Sequence, residues 1–290
     1  MSSHISQVSS YRGRFAPTPT GPLHMGSLIA ALASYLDAKA NNGKWLLRID
    51  DIDPPREVKG ATVSILKCLE AFGLFWDEEV VYQSKQYAKY ESFLSQISSK
   101  TYSCICSRKQ IGPNVYQSTC FGKSVDLNLP HCVRFHIDYP NVEFEDRIQL
   151  AQTLFQNEDF VIKRKGNLWS YHLAVVVDDY LSGITDVVRG VDLLDSTFRH
   201  IQLQKTLGFT VPRYAHIPVL VESNGQKLSK QNLAKPVGVS SQNIEQELKF
   251  ALVKLGIDVK DNQNVQEMLK FAVQCWDINS LKGKKTMQNQ

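Results

Sequence analysis

No apolar stretch among the 290 residues approaches the roughly 20 that a membrane-crossing helix needs; the longest, such as residues 173–177, stop after a few positions. The first ten residues are polar and lack the charged-then-apolar order of a secretory signal. A strong charge of one sign is missing as well. The net charge of +4 permits a polyanionic partner without arguing for one, because a nucleic-acid footprint depends on clustering. Internal repeats and low-complexity segments are absent. Cysteines are few: Cys68, Cys104, Cys106, Cys120, Cys132 and Cys275. Three of them fall close together, which suits a metal site in a reducing compartment better than a disulfide framework. What remains is an ordinary globular composition, 43% hydrophobic and 21% charged, long enough for one large domain or two modest ones. The expectation is a cytoplasmic globular protein, free of the membrane, with a candidate metal site.

Residues 11–16 read as a short strand, followed by a turn-rich stretch. Leu28, Ala31, Leu32, Tyr35 and Leu36 then recur at helical spacing until Asn41-Asn42-Gly43 stops the helix. Residues 45–49 form a compact apolar strand. Strand, helix, strand is a βαβ unit, and it implies a parallel sheet with a right-handed crossover. Val63, Leu66, Leu69 and Phe72 predict a second amphipathic helix ending at Gly73. Between about residues 100 and 160 the pattern breaks into short pieces that hold the cysteine cluster, as an insertion would. Residues 169–177 and 217–221 look strand-like or buried, residues 196–207 look helical, and the tail from Ile244 is helical and partly charged. Cys68 and Cys275 fall in helical patterns and are expected in the core.

Two segments carry chemistry. Pro17-Thr18-Pro19-Thr20-Gly21-Pro22-Leu23-His24-Met25-Gly26-Ser27 lies between a strand and a helix start, where unpaired N–H groups and the positive end of the dipole suit phosphates. It is neither a P-loop nor a Gly-x-Gly-x-x-Gly turn. Alone it also reads as a proline-punctuated loop with one polar histidine. Far downstream, Lys227-Leu228-Ser229-Lys230 lies just beyond a predicted strand end, and two lysines on a loop can offset the charge of a departing pyrophosphate. Alone, such a pair is usually solvated surface.

Together the two segments resemble the "HIGH" and "KMSKS" motifs of class I aminoacyl-tRNA synthetases, with Ser27 in place of the second histidine and Gln231 in place of the final serine. The run Arg14-Phe15-Ala16-Pro17-Thr18-Pro19-Thr20-Gly21 and the segment Arg48-Ile49-Asp50-Asp51-Ile52-Asp53 resemble the glutamate branch. Further matching segments, Asp53-Pro54-Pro55-Arg56-Glu57, Leu173-Ala174-Val175-Val176-Val177-Asp178-Asp179 and Val187-Val188-Arg189-Gly190, are similar to the shortened glutamyl-Q tRNA(Asp) synthetase family. The resemblance covers about residues 11–236. It departs at Asp50, where the family usually carries glutamate.

The resemblance implies an α/β fold. Residues 11–100 and 161–236 would be the two halves of a Rossmann-type catalytic domain, 101–160 a zinc-binding insertion, and 237–290 a short helical C-terminal region. It places His24, Gly26, Ser27, Lys227, Ser229 and Lys230 in catalysis, with His24, Gly26 and Lys230 on ATP. Glutamate would meet Arg14, Ala16, Thr18, Asp50, Tyr171 and Arg189. Two guanidiniums can each grip a carboxylate while Asp50 neutralises the ammonium; which arginine takes which carboxylate is left open. Cys104, Cys106 and Cys120 would hold structural zinc with Tyr116 as the nominated fourth ligand, and His131 or Cys132 compete for that place. The implied reaction is tRNA-independent activation of glutamate with ATP and Mg²⁺, then transfer to queuosine in the anticodon loop of tRNA(Asp) by a monomer. Only residues 232–290 lie beyond Gln231, too little for a sizeable anticodon-binding region, which disfavours a truncated glutamyl-tRNA synthetase charging the tRNA 3′ end. A non-catalytic tRNA-binding paralogue would be expected to lose Lys227 and Lys230.

Overall fold

The computed structural model describes residues 10–112, 115–156, 158–222, 235–238, 241–261 and 263–289. The chain opens with strand β1 (Arg12–Phe15), helix α1 (Met25–Ala40), strand β2 (Lys44–Ile49), helix α2 (Ala61–Ala71) and the short strand β3 (Val81–Tyr82). β1, β2 and β3 pair in parallel, in that order across the sheet. All but the first residue of β2 is buried, as expected of a parallel strand covered on both faces. α1 turns into β2 through Gly43, where a Cβ would lie only 2.5 Å from the Tyr11 carbonyl oxygen.

Helix α3 (Tyr87–Gln96) leads to a small antiparallel sheet of β4 (Thr101–Cys104), β5 (Cys132–Phe135), β8 (Phe160–Arg164) and β9 (Leu168–Trp169). A four-residue helix α4 (Arg108–Ile111) comes after β4. The hairpin β6 (Asn141–Asp146) and β7 (Leu150–Phe155) leaves this sheet and joins another. The segment expected as an insertion therefore supplies strands to two sheets, and the small sheet continues to Trp169.

Helix α5 (Tyr171–Leu181), strand β10 (Asp186–Gly190), helix α6 (Leu194–Thr206) and strand β11 (Arg213–Ile217) resume the parallel pattern, with β10 on β11 and β11 on β6. β10 lies beside β1, where Thr185 N–H donates to the Arg12 carbonyl (3.0 Å) and Arg12 N–H to Thr185 Oγ1 (2.8 Å). The order β3-β2-β1-β10-β11 is that of a doubly wound Rossmann-type sheet whose strand order reverses between β1 and β10. Strand β12 (Val219–Val221) pairs in parallel with β13 (Thr286–Gln288) near the end of the chain. Helices α7 (Ser241–Lys254) and α8 (Val265–Cys275) pack on α1, so its core includes Leu248, Leu252, Leu255 and Leu269 together with Leu28, Leu32 and Leu36.

Three expectations change. Residues 171–177 are the start of a helix, with only Leu168 and Trp169 in a strand. Positions 173–179 are buried all round, so the run has no amphipathic period to distinguish helix from strand. Around α2 the expected Leu69 and Phe72 are buried, but Val63 is exposed and Leu66 half-buried, and packing adds Ala61, Ile65 and Cys68 to the buried face. Cys68 is buried, but Cys275 is exposed at the last turn of α8.

Candidate active site

The reversal of strand order opens a crevice beyond the carboxyl ends of β1 and β10, the place where doubly wound sheets bind ligands. A cavity of about 320 Å³ occupies it. Arg14, Ala16, Thr18, His24, Gly26, Ser27, Asp50, Tyr171 and Arg189 all line this one cavity, although they come from separate parts of the chain. Lys227, Ser229 and Lys230 lie outside the described residues. The segments on either side of them are at the cavity edge: Val219 and Leu220 line it, Pro236 bridges to His24, and Val237 N–H donates to the Leu23 carbonyl (3.0 Å).

The proline-rich turn reaches the site because its backbone is tied to the segment just after β2. Asp50 N–H donates to the Pro17 carbonyl (3.0 Å) and Val58 N–H to that of Pro19 (3.0 Å). His24 is the N-cap of α1, taking the Ser27 N–H at Nδ1 (3.3 Å), with Ser27 Oγ 3.0 Å from Nε2. Ser27 thus orients the histidine, and α1 points its unpaired N–H groups at the cavity.

Beneath the cavity runs a buried chain of alternating charge. Arg14 donates to Asp179 (3.1 Å), Arg48 bridges Asp179 (2.6 Å) and Asp50 (2.7 Å), and Asp178 accepts from Gln83 (2.8 Å) and Tyr90 (2.7 Å). Burial pushes the Asp50 carboxyl up, with Arg48 and Arg14 pulling against it. At Asp179 burial acts in the same sense, but Arg14 and Arg48 outweigh it and hold the carboxyl below its ordinary value. Asp178, with Arg48 farther off, is pushed by burial to about 6. Asp50 offers one oxygen to Arg48; its other oxygen makes no hydrogen bond among the described residues.

Arg189 has a different environment. Its guanidinium donates to His216 Nε2 (3.1 Å), Thr197 Oγ1 (2.8 Å), the Leu193 carbonyl (3.3 Å) and the Tyr171 hydroxyl (3.4 Å), and lies 3.2 Å from His200 Nδ1. Among the described residues no carboxylate pairs with it, and it is 5% exposed. A buried cation with no carboxylate bonded to it among the described residues is set up to receive one from a ligand.

Comparison with known proteins gives the family. The family described as "tRNA synthetases class I (E and Q), catalytic domain" matches residues 10–290. The Glutamyl-Q tRNA(Asp) synthetase of Chromobacterium violaceum is 43% identical over 285 residues, 92% of this chain and 94% of that protein. The protein of the same name from Acinetobacter baylyi is 44% identical over 284 residues, 94% of each. The chain belongs to the glutamyl-Q tRNA(Asp) synthetase family. It is a ligase of the class I synthetase type. In fold it is similar to a glutamate tRNA ligase of Elizabethkingia meningosepticum solved in complex with its amino acid, at a TM-score of 0.82 and 24% identity, covering 97% of this chain and 67% of that one.

In this member of the glutamyl-Q tRNA(Asp) synthetase family the cysteine cluster also closes up. The sulfurs of Cys104, Cys106 and Cys120 lie within 4.8 Å of one another, with Cys106 and Cys120 at 3.5 Å. Tyr116 is buried beside them: its hydroxyl takes the Cys120 N–H (3.1 Å), and the Arg134 guanidinium stacks 3.6 Å over its ring. Cys132 instead turns its thiol to the Cys104 carbonyl (3.5 Å), and the His131 ring sits 3.0 Å from the Leu129 carbonyl. Three convergent soft donors with a phenol at hand fit a tetrahedral structural site, and no other cluster of this kind occurs among the described residues.

The motifs contain Arg48, Asp178 and Asp179 without giving them a task, and no motif points to Asp146, Thr197, His200 or His216. The two aspartates become findable once residues 171–181 are read as a helix, since positions seven and eight after Tyr171 return to its face. The others carry no local signal; β10, β11, β6 and α6 meet only in three dimensions.

Proposed function

We infer that this chain joins glutamate to ATP, without tRNA, to give glutamyl-adenylate and pyrophosphate, and then transfers glutamate to queuosine at the anticodon wobble position of tRNA(Asp). The observation that carries the first step is Arg189, a buried guanidinium with no acidic partner among the described residues, sharing one cavity with the amino end of α1. The name borne by relatives more than 40% identical along nearly the whole chain supports the second.

In the reaction an oxygen of the α-carboxylate forms a bond to the α-phosphorus of ATP as the bond to the bridging oxygen breaks and pyrophosphate leaves. No enzyme nucleophile is needed, so the protein's work is positioning and charge stabilisation. Arg189 and Tyr171 hold one carboxylate, and Arg14 steers the other. The unengaged oxygen of Asp50 takes the ammonium, while the backbone of Ala16 and Thr18 shapes the floor. His24, Gly26, Ser27 and the first N–H groups of α1 meet the phosphates, and Lys227, Ser229 and Lys230 offset charge on the departing pyrophosphate. Mg²⁺ entering with ATP would neutralise its phosphate oxygens. Zinc held by Cys104, Cys106, Tyr116 and Cys120 is structural in this reading, since it serves the small sheet. A monomer working in the cytoplasm, where its substrates are found, belongs to this reading.

The test is ATP–pyrophosphate exchange with purified protein and no tRNA. Exchange with glutamate is expected; exchange driven instead by another amino acid would refute the assignment.

A further inference from the structure

The contacts around Arg189 dictate which ring nitrogens carry protons. Asp146 on β6 is fully buried, and its Oδ1 already accepts the N–H groups of Ile148 (2.9 Å), Gln149 (2.8 Å) and His216 (3.2 Å). A carboxylate so surrounded by donors stays ionised, and burial is outweighed there by its hydrogen bonds. Its Oδ2 lies 2.6 Å from His216 Nδ1, so that nitrogen bears the proton. Nε2 of the same ring then presents a lone pair to Arg189 Nε, with Thr197 Oγ1 3.0 Å away. A proton on Nε2 would set N–H against N–H and cation against cation.

The same logic runs through α6 and α5. Arg189 Nη1 can only donate, so His200 Nδ1 at 3.2 Å must accept and its Nε2 must carry the proton. That Nε2 lies 3.4 Å from His172 Nδ1, which accepts in turn. Burial and the neighbouring arginines keep all three rings neutral: His172 falls to about 3, and His200 and His216 are shifted the same way.

We propose that His216 and His200 are positioning, specificity-determining residues: fixed by Asp146 and His172 as neutral rings with lone pairs toward Arg189, they hold the guanidinium without cancelling its charge. An acid in either place would hold Arg189 as firmly but neutralise it. With Arg189 taking the side-chain carboxylate, a site so built prefers that carboxylate to its carboxamide, because the amide leaves the buried cation unbalanced. The inference rests on the glutamate reading above.

Two measurements test it. Nitrogen-15 histidine spectra of the intact protein at neutral pH are expected to show His216 protonated at Nδ1 and His200 at Nε2, both neutral; a charged ring or the opposite tautomer overturns the proposal. Kinetically, His216→Leu removes the lone pair and should raise the glutamate KM about 10- to 100-fold with a much smaller change in kcat, and should narrow the preference over glutamine. His216→Gln, which returns a neutral acceptor near Nε2, should recover most of the loss. Wild-type values in the leucine variant, or equal impairment of both, overturns it. Exchange by the wild-type protein, run alongside, reports on the glutamate reading separately, and the spectra need no activity.

Discussion

Arg14 and Arg189 look alike in the sequence but differ in their partners. Arg14 shares Asp179 with Arg48 inside the buried charge chain, whereas the contacts of Arg189 among the described residues are all neutral. Arg14→Gln should therefore cost stability, up to about 3 kcal/mol in chemical denaturation, because it strips a buried carboxylate of one of two cations. Arg189→Gln leaves no carboxylate stranded. Its main effect should be a rise of about 10- to 100-fold in the glutamate KM, read by initial rates, with little change in the denaturation midpoint.

Asp178 makes a prediction about pH. Its folded-state pKa of about 6 lies above the ordinary aspartate value, so between roughly pH 4 and 6 the folded protein binds more protons than the unfolded chain. Its contribution to stability is complete below that window and is lost as pH rises through it. Asp178→Asn should flatten the decline, and unfolding free energies of the two proteins at pH 4, 5, 6 and 7 would show a difference that changes across the window and is constant beyond it. A parallel offset at every pH would remove Asp178 as its origin.

At the scale of elements, the small sheet of β4, β5, β8 and β9 is held at one end by packing of Phe135, Phe160 and Trp169 and at the other by the cysteines. The second end packs mostly half-buried apolar side chains around its thiols, so a metal would add to its order. Elemental analysis should find about one zinc per chain. Cys104→Ser or Cys120→Ser should release it and expose the 101–135 region to limited proteolysis while the cavity residues on β1 and β10 keep their hydrogen-exchange protection. Metal-free protein with unchanged proteolysis would assign the thiols to plain packing.

The whole molecule ties its last residues to the catalytic sheet. Trp276 Nε1 donates to buried Asp37 (2.9 Å), which also takes Arg147 and the Tyr11 hydroxyl, and Gln149 Nε2 bonds both the His216 and Lys284 carbonyls (2.9 and 2.7 Å). The tail is thus part of the body that forms the site. If the anticodon arm enters there, labelled glutamate should appear on tRNA(Asp) carrying queuosine and should still do so after removal of the 3′-terminal adenosine. The attacking group would be a hydroxyl of queuosine's cyclopentene diol. Nuclease digestion locates the label; finding it on the terminal adenosine would refute the proposed acceptor.

Local pattern alone determined a good deal. The helical spacing after Leu28, its stop at Asn42-Gly43 and the apolar strand beyond gave the βαβ unit, because each depends on contacts within a few residues. The ordered motifs from Arg14 to Arg189 named the residues that line the cavity, because a site at strand ends is written in the loops that succeed the strands. Tertiary structure decided the rest. Whether residues 171–177 are helix or strand depends on being buried on every side, which erases periodicity. That Arg189 has no carboxylate partner among the described residues while Arg14 is paired depends on Asp179, Asp146, His200 and His216. These arrive from four other elements, and no spacing along the chain encodes their meeting, since electrostatic partnership is a property of distance through space.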